Sequence, residues 1–373
     1  MTWTIDEAAL EAITIGAGIL GTGGGGNPYL GKLHARELIR AHGSVTVVAP
    51  REVPDEAFVV SVGGMGAPTV SVERIKQGDE ELVALRTLER HLGRAATHLV
   101  AGEIGGSNAL RPIAVSARTG LPVVDGDGMG RAFPELQMDT FSILGVRPTP
   151  AAVADPRGHV VLFDGIAEAE RLERYARAVT IAMGGAVGYA FPAMSGVELK
   201  RTVIGGTVSL ARRVGEGVLA ARAGRGDPVA AVETTTGGQR LFAGKVADVA
   251  RRLEGGFARG ELRLAGTGED EGREVRIAIQ NEFLVAWDQH GAVVAATPDL
   301  ICLVDADTAE PVTTEVVRYG MRLVLIGVPA PAPLRTTAAL AVVGPAAFGY
   351  PEVVYRPLPG RYGGEGGAAL SFS

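Results

Sequence analysis

The sequence predicts an α/β N-terminal domain with a mainly parallel sheet, followed by a C-terminal, largely β domain of barrel- or sandwich-like form. Three observations predict it. In the first third, short apolar runs alternate with helix-length segments, and glycine-rich loops follow the apolar runs. After Gly238 the pattern turns to short β-rich runs separated by closely spaced turn signals. A chain of 373 residues is also too long for one typical core, so two domains are expected, residues 1–165 and 166–373.

The elements follow in order. Asp6 can cap an apolar helix from Ala8 through Leu20 that stops at Gly21. After the loop GTGGGGNP, Asn27 caps a second helix, with Pro28 in its first turn, reaching about His42. Ser44 to Val48 and Phe58 to Val62 read as strands, and the second leads into GGMGAP. A helix over Asp79 to Leu92 precedes a strand, His98 to Ala101, and the loop EIGGSN. A helix from Leu110 to Ala117 leads to the apolar run Leu121 to Val124 and then to DGDGMGRAFP. Ala167 to Ala182 and Thr207 to Ala223 are two further helices, able to pack back on the first domain. The β-rich runs beyond them are Leu241–Val246, Glu261–Leu264, Arg273–Ile279, Phe283–Trp287, Val293–Ala296, Leu300–Val304 and Arg322–Ile326.

Composition narrows the function classes. The hydrophobic fraction is 46%, the mean hydropathy +0.19 and the net charge −6, with no basic stripe, so nucleic acid is not an expected partner. No apolar run is long enough for a membrane span, and the acidic N-terminus is no signal peptide, which makes a cytoplasmic protein the expectation. The single cysteine, Cys302, offers neither a disulfide nor a metal clip. The six histidines show no HxH or HxxxH spacing, and no GxSxG elbow is present. No organic cofactor is expected. The 53 glycines, about twice the usual share, concentrate in loops.

Those loops hold the candidate site residues. In open α/β sheets the ligand crevice lies at the carboxyl ends of the strands, where three of the four loops fall. The run GTGGGG lacks the Gly-Lys-Ser/Thr of a P-loop, yet it opens a capped helix whose free amides favour an anion, so Gly23, Gly24, Gly25 and Asn27 are ligand-binding candidates. Gly66 belongs to GGMGAP, where Met65 and Pro68 could shape an apolar wall. Glu103, just past a buried strand, suits a general base, with Gly105, Gly106 and Asn108 beside it. Asp125 and Asp127 are carboxylates two residues apart among glycines, able to divide acid and base roles or to hold a divalent cation. Arg131 can clamp a substrate carboxylate bidentately, or else pair with Asp127 or Glu135. In the second half, Asn281 and Glu282 of the segment QNE read either as site residues or as a turn with a solvated acid.

Taken together, the ordered motifs resemble a known family. They are GAGILGTGGGGNPYLG (16–31), VGGMGAPTV (62–70), EIGGSN (103–108), LPVVDGDGMGRAFPELQM (121–138), LFAGKV (241–246), QNEFL (280–284), PDLI (298–301), TTEVVRYG (313–320) and GPAAFGY (344–350). This set is similar to the S-methyl thiohydantoin desulfurase family, formerly a domain of unknown function, over nearly the whole chain. Ser107 departs from the Asn of the family pattern. The resemblance implies an α/β domain followed by a largely β domain. It also implies a hydrolase that converts S-methyl thiohydantoin to hydantoin and methanethiol, and neighbours of the hydantoinase/oxoprolinase type.

Such chemistry needs a base for water, a proton donor and amides for developing charge. Glu103 or Asp127 would be the base, Asp125 its partner, and Arg131 the anchor of a small-molecule substrate bearing a carboxylate. A homo-oligomer, with association to hydantoinase-type subunits, completes the expected partners. Two alternatives stay open: a non-catalytic accessory subunit that binds nucleotide or hydantoin, and a metal-dependent amidohydrolase acting on a plain ring.

Overall fold

The computed structural model describes residues 2–66, 70 and 77–364. Pro68, named above as a wall residue, lies outside the described residues. The first half runs β1 (Trp3–Ile5), α1 (Glu7–Leu20), α2 (Pro28–His42), β2 (Val45–Val48), β3 (Phe58–Gly66), α3 (Glu80–Leu92), β4 (His98–Ala101), α4 (Arg111–Thr119) and β5 (Val123–Asp127). After these come α5 (Thr140–Ile143), β6 (Ala151–Ala154), β7 (Val160–Phe163), α6 (Ala169–Ala182), β8 (Ala186–Ser195), α7 (Gly196–Thr202), β9 (Ile204–Gly205), α8 (Thr207–Gly224) and α9 (Pro228–Thr236). The second half adds β10 (Gln239–Glu254), β11 (Phe257–Gly266), β12 (Glu274–Gln280), β13 (Glu282–Asp288), β14 (Val293–Ala296), β15 (Leu300–Asp305), β16 (Arg322–Val328) and α10 (Thr337–Val343).

The first sheet has the order β1-β2-β5-β4-β3-β8-β6-β7, with β9 paired to β5. Its centre, β2-β5-β4-β3, is parallel, and the strands added at either side are antiparallel. The sequence reading missed β8. Its run AVGYAFPAMS carries glycine and proline and lacks an alternating pattern, because nearly every residue of it is buried between neighbours. Both β8 and β9 lie beyond residue 166, so the sheets change over near Gly237. The second sheet is antiparallel throughout, order β14-β13-β12-β11-β10-β16-β15. It curls into a half-barrel, and β13 and β14 come back towards β15.

The caps read from sequence form as expected: Asp6 accepts from Ala9 N at 2.8 Å, and Asn27 from Tyr29 N at 2.9 Å. From Ala9 onward α1 is buried on every side except at Glu11, since it lies between α8, the first sheet and β15. It meets α8 across two glycines. A Cβ on Gly16 would collide with the Ala211 carbonyl, and one on Gly215 with that of Ala12. One continuous core joins α1 and α8 to β13, β15 and β16, so the two sheets share apolar packing. Among the described residues, no helix is long and apolar enough to cross a membrane.

Candidate functional site

The run Gly23–Gly26 is a packed junction. Thr22 O accepts from Phe283 N, and Gly23 O from Thr314 N, at 2.8 Å each, which docks the second sheet onto the loop. The Phe283 ring covers Gly23, the Glu282 carboxyl covers Gly24, and the Gly105 carbonyl sits against Gly25. Gly23, Gly25 and Gly26 have φ of +89°, +72° and +79°, so backbone conformation favours glycine at all three, and close approach demands it as well at Gly23 and Gly25. The Gly26 carbonyl accepts from Ser107 N at 3.0 Å, tying in the third loop.

Asp127 ties in the fourth. It is fully buried at the end of β5, and its Oδ2 accepts from Ile104, Met129 and Gly130 N at 2.8, 3.0 and 2.8 Å. Burial raises its pKa to about 7 against those three amides. Asp125 faces elsewhere and binds Ser209, N at 2.9 Å and Oγ at 2.5 Å, in the first turn of α8. These two acids therefore form no acid–base pair and no joint cation site, which corrects the expectation from their spacing. Asp127 is committed to three main-chain amides, and Asp125 to the amide and hydroxyl of Ser209. Among the described residues, no three His, Cys, Asp or Glu side chains gather to hold a metal ion.

Arg131 is also corrected. Among the described residues it is the largest fully buried side chain, so it cannot reach a substrate carboxylate. Its Nε donates to Ala132 O at 2.9 Å, Nη1 to Asp299 O at 2.7 Å and Pro298 O at 3.3 Å, and Nη2 to Thr22 Oγ1 at 2.8 Å and Phe283 O at 3.2 Å. Burial lowers its pKa to about 10, which leaves it a cation at neutral pH. It lies beneath the cavity and bolts the glycine loop to the second sheet.

The cavity above has a volume of about 350 Å³, at the small end of ligand pockets. All four glycine loops and the β12–β13 turn contribute to its wall. Of the residues singled out from sequence, Gly25, Asn27, Gly66, Glu103, Asn108, Asn281 and Glu282 line it; Gly23, Gly24, Gly105, Gly106, Asp125, Asp127 and Arg131 do not. A Cβ on Gly105 would meet Ala132, and one on Gly106 the Gly26 carbonyl, so these two serve loop packing.

Four buried carboxyls line this space, Glu80, Glu81, Glu103 and Glu282, and the last two come to it from different sheets. Glu103 Oε1 accepts from Asn108 Nδ2 and Oε2 from Phe133 N at 3.2 Å. Burial pushes its pKa to about 8; the Asn108 and Phe133 hydrogen bonds and the Arg131 charge oppose the rise, and the Asp127 charge adds to it. Glu282 reaches the site because Asn281 adopts a left-handed turn, φ 56°, with its Oδ1 accepting from Ala258 N at 2.9 Å. Burial and then the Glu103 charge push the Glu282 carboxyl well above the usual range, while Arg131 and the Gly25 amide pull it back. Its Oε2 is buried and has no hydrogen-bond partner.

Sequence reasoning missed Arg111, Arg177, His34 and Tyr189 in the wall. Arg111 stood three residues past Asn108, a legible position. Arg177 gave no signal, since its spacing from Glu173 reads as a solvated helix pair. In the fold that pair is buried, with Nε to Glu173 Oε1 at 2.7 Å and Nη2 to Pro134 O at 3.0 Å.

Family models described as S-Me-THD-like, N-terminal domain, and S-Me-THD-like, C-terminal domain, match residues 8–165 and 167–358. A crystal structure of a protein from Chromobacterium violaceum is similar with a TM-score of 0.78 and 27% identity, over 95% of this chain and 99% of that one. No curated protein matches.

Proposed function

The chain belongs to the S-Me-THD-like family, and from that premise we propose that it is a hydrolase that replaces the S-methyl group of an S-methyl thiohydantoin ring by oxygen, releasing methanethiol. One observation carries the reading: Glu103 and Glu282, delivered by different sheets, are buried carboxyls lining one small cavity, and Glu282 offers an unpartnered oxygen.

Two such carboxyls disfavour simultaneous ionisation, and the Arg131 cation beneath favours one charge in the pair. One is then a base and the other an acid at neutral pH. The ionised carboxyl takes a proton from water as oxygen bonds to C2, while the protonated one gives its proton to the nitrogen of the C2=N bond. In the collapse, the second carboxylate takes the proton of the new hydroxyl and C2=O forms. The C2–S bond breaks, and sulfur leaves with the proton held by the first carboxyl. Both groups return to their starting states.

The test is thiol release by the purified protein from S-methyl thiohydantoins, with Glu103→Gln and Glu282→Gln alongside. Each variant is expected to lose about 10²- to 10⁴-fold in turnover. No thiol from the wild type, or full turnover by both variants, refutes the proposal.

A further inference from the structure

Tyr189 lines the cavity and takes no part in the proton transfers above. It stands in β8, paired with Gly63 of β3, and is 5% exposed. Its ring packs among Met65, Leu172 and Phe191, with the Phe191 ring centroid at 4.8 Å. A Cβ on Gly63 or on Gly102 would collide with the phenol oxygen, so a glycine within β3 and another just past β4 make room for it. Gly102 directly precedes Glu103, which sets the hydroxyl close to one of the two reacting carboxyls. Among the described residues no group accepts a hydrogen bond from this hydroxyl. Burial, then the Glu103 and Asp139 charges, raise the phenol's pKa above its ordinary value, against Arg111 and the Ser61 hydroxyl. The phenol therefore keeps its proton and remains a donor.

A buried hydroxyl without an acceptor is costly, and an oxygen of the ligand removes that cost. An uncharged oxygen suits this position, because the charge of the carboxyl pair repels a second anion beside it. We propose that Tyr189 is a further catalytic residue, which donates a hydrogen bond to the ring carbonyl oxygen of the substrate. In the thiohydantoin ring one nitrogen joins C2 to the carbonyl carbon. As the water oxygen bonds to C2, the electron pair of the C2=N bond moves onto that nitrogen and spreads to the carbonyl oxygen. A donor already in place there binds the transition state more strongly than the ground state. The phenol proton does not transfer, so the acid and base steps stay with Glu103 and Glu282. The role in turnover rests on the hydrolase reading, whereas the contact with the carbonyl is open to binding measurements alone.

The experiment is calorimetric titration of the full chain, wild type and Tyr189→Phe, with hydantoin and with 2-imidazolidinone, the same ring without the second carbonyl. Tyr189→Phe should weaken hydantoin binding about 3- to 10-fold, the span of one neutral hydrogen bond, and leave 2-imidazolidinone binding unchanged. In thiol release from an S-methyl thiohydantoin, kcat of the variant should fall about tenfold or more, with a smaller change in KM. If Tyr189→Phe does not fold, Gly102→Ala keeps the ring but displaces its hydroxyl, and should show the same selective loss. Hydantoin bound equally by variant and wild type, an equal loss for both rings, an unchanged kcat, or no hydantoin binding by the wild type overturns the assignment. The two readings fail separately. A loss selective for hydantoin, with no thiol released by the wild type, sinks the hydrolase proposal alone. Thiol release with an unselective loss sinks this one alone.

Discussion

Arg131 shows how far a side chain's role can lie from its sequence surroundings. Placed in DGDGMGRAFP it reads as a ligand clamp, yet its five hydrogen bonds all go to carbonyls and one hydroxyl of the protein. Four of these acceptors come from segments distant in sequence, so no local pattern could announce them. A lysine cannot satisfy that fork. Arg131→Lys should lose more than about 2 kcal/mol of stability, from several charged hydrogen bonds; a melting curve matching the wild type would contradict this. Asp127 belongs to the same class. Asp127→Ala removes the acceptor of three buried amides and is expected to cost about 2–3 kcal/mol, measured by denaturant titration. Loss of turnover with full stability would instead return Asp127 to the chemistry.

At the scale of elements, two glycine contacts make opposite predictions. Gly16 lies within α1, where alanine is intrinsically favoured by about 1 kcal/mol. Its Cβ would collide with the backbone of α8, which cannot rotate away. Overpacking costs of about 1–3 kcal/mol should therefore prevail, and Gly16→Ala should lower the melting temperature; an unchanged or raised value would mean the helices part freely. Gly24→Ala differs, because its Cβ meets the Glu282 carboxyl, the far end of a side chain that can move. Turnover should fall about tenfold or more as Glu282 is displaced from its place beside the cavity, with a smaller change in stability. Equal turnover in this variant would show that the position of Glu282 is irrelevant to the reaction.

Across the whole molecule, buried acids dominate the response to pH. Glu103 rises to about 8, and Asp127 and Asp139 to about 7, each chiefly through burial. A carboxyl raised in this way keeps a proton that the unfolded chain releases near its ordinary value. Its stabilising effect is complete below that ordinary value and is lost as pH rises through the folded-state pKa. The melting temperature should therefore decline between about pH 5 and about pH 8. In Glu103→Gln, which cannot ionise, the decline should be shallower; parallel profiles for variant and wild type would show that Glu103 titrates normally.

The sequence by itself determined the parallel centre of the first sheet, the antiparallel second half, both helix caps and the glycine loops that gather around one cavity. Those features follow from periodicity, capping chemistry and backbone freedom, which act over a few residues. It singled out Glu103, because an acid at a strand end among glycines is locally unusual, and left Glu282 open between a site residue and a solvated acid in a turn. Only the tertiary structure brought Glu282 within reach of the Glu103 charge and set Asp127 against Ile104 and Asp125 against Ser209, since each of these meetings joins segments far apart in the chain. It likewise decided that Arg131 lies beneath the cavity and Arg111 along its wall. Burial and long-range hydrogen bonding set a charged group's role, and neither is encoded in the few residues beside it.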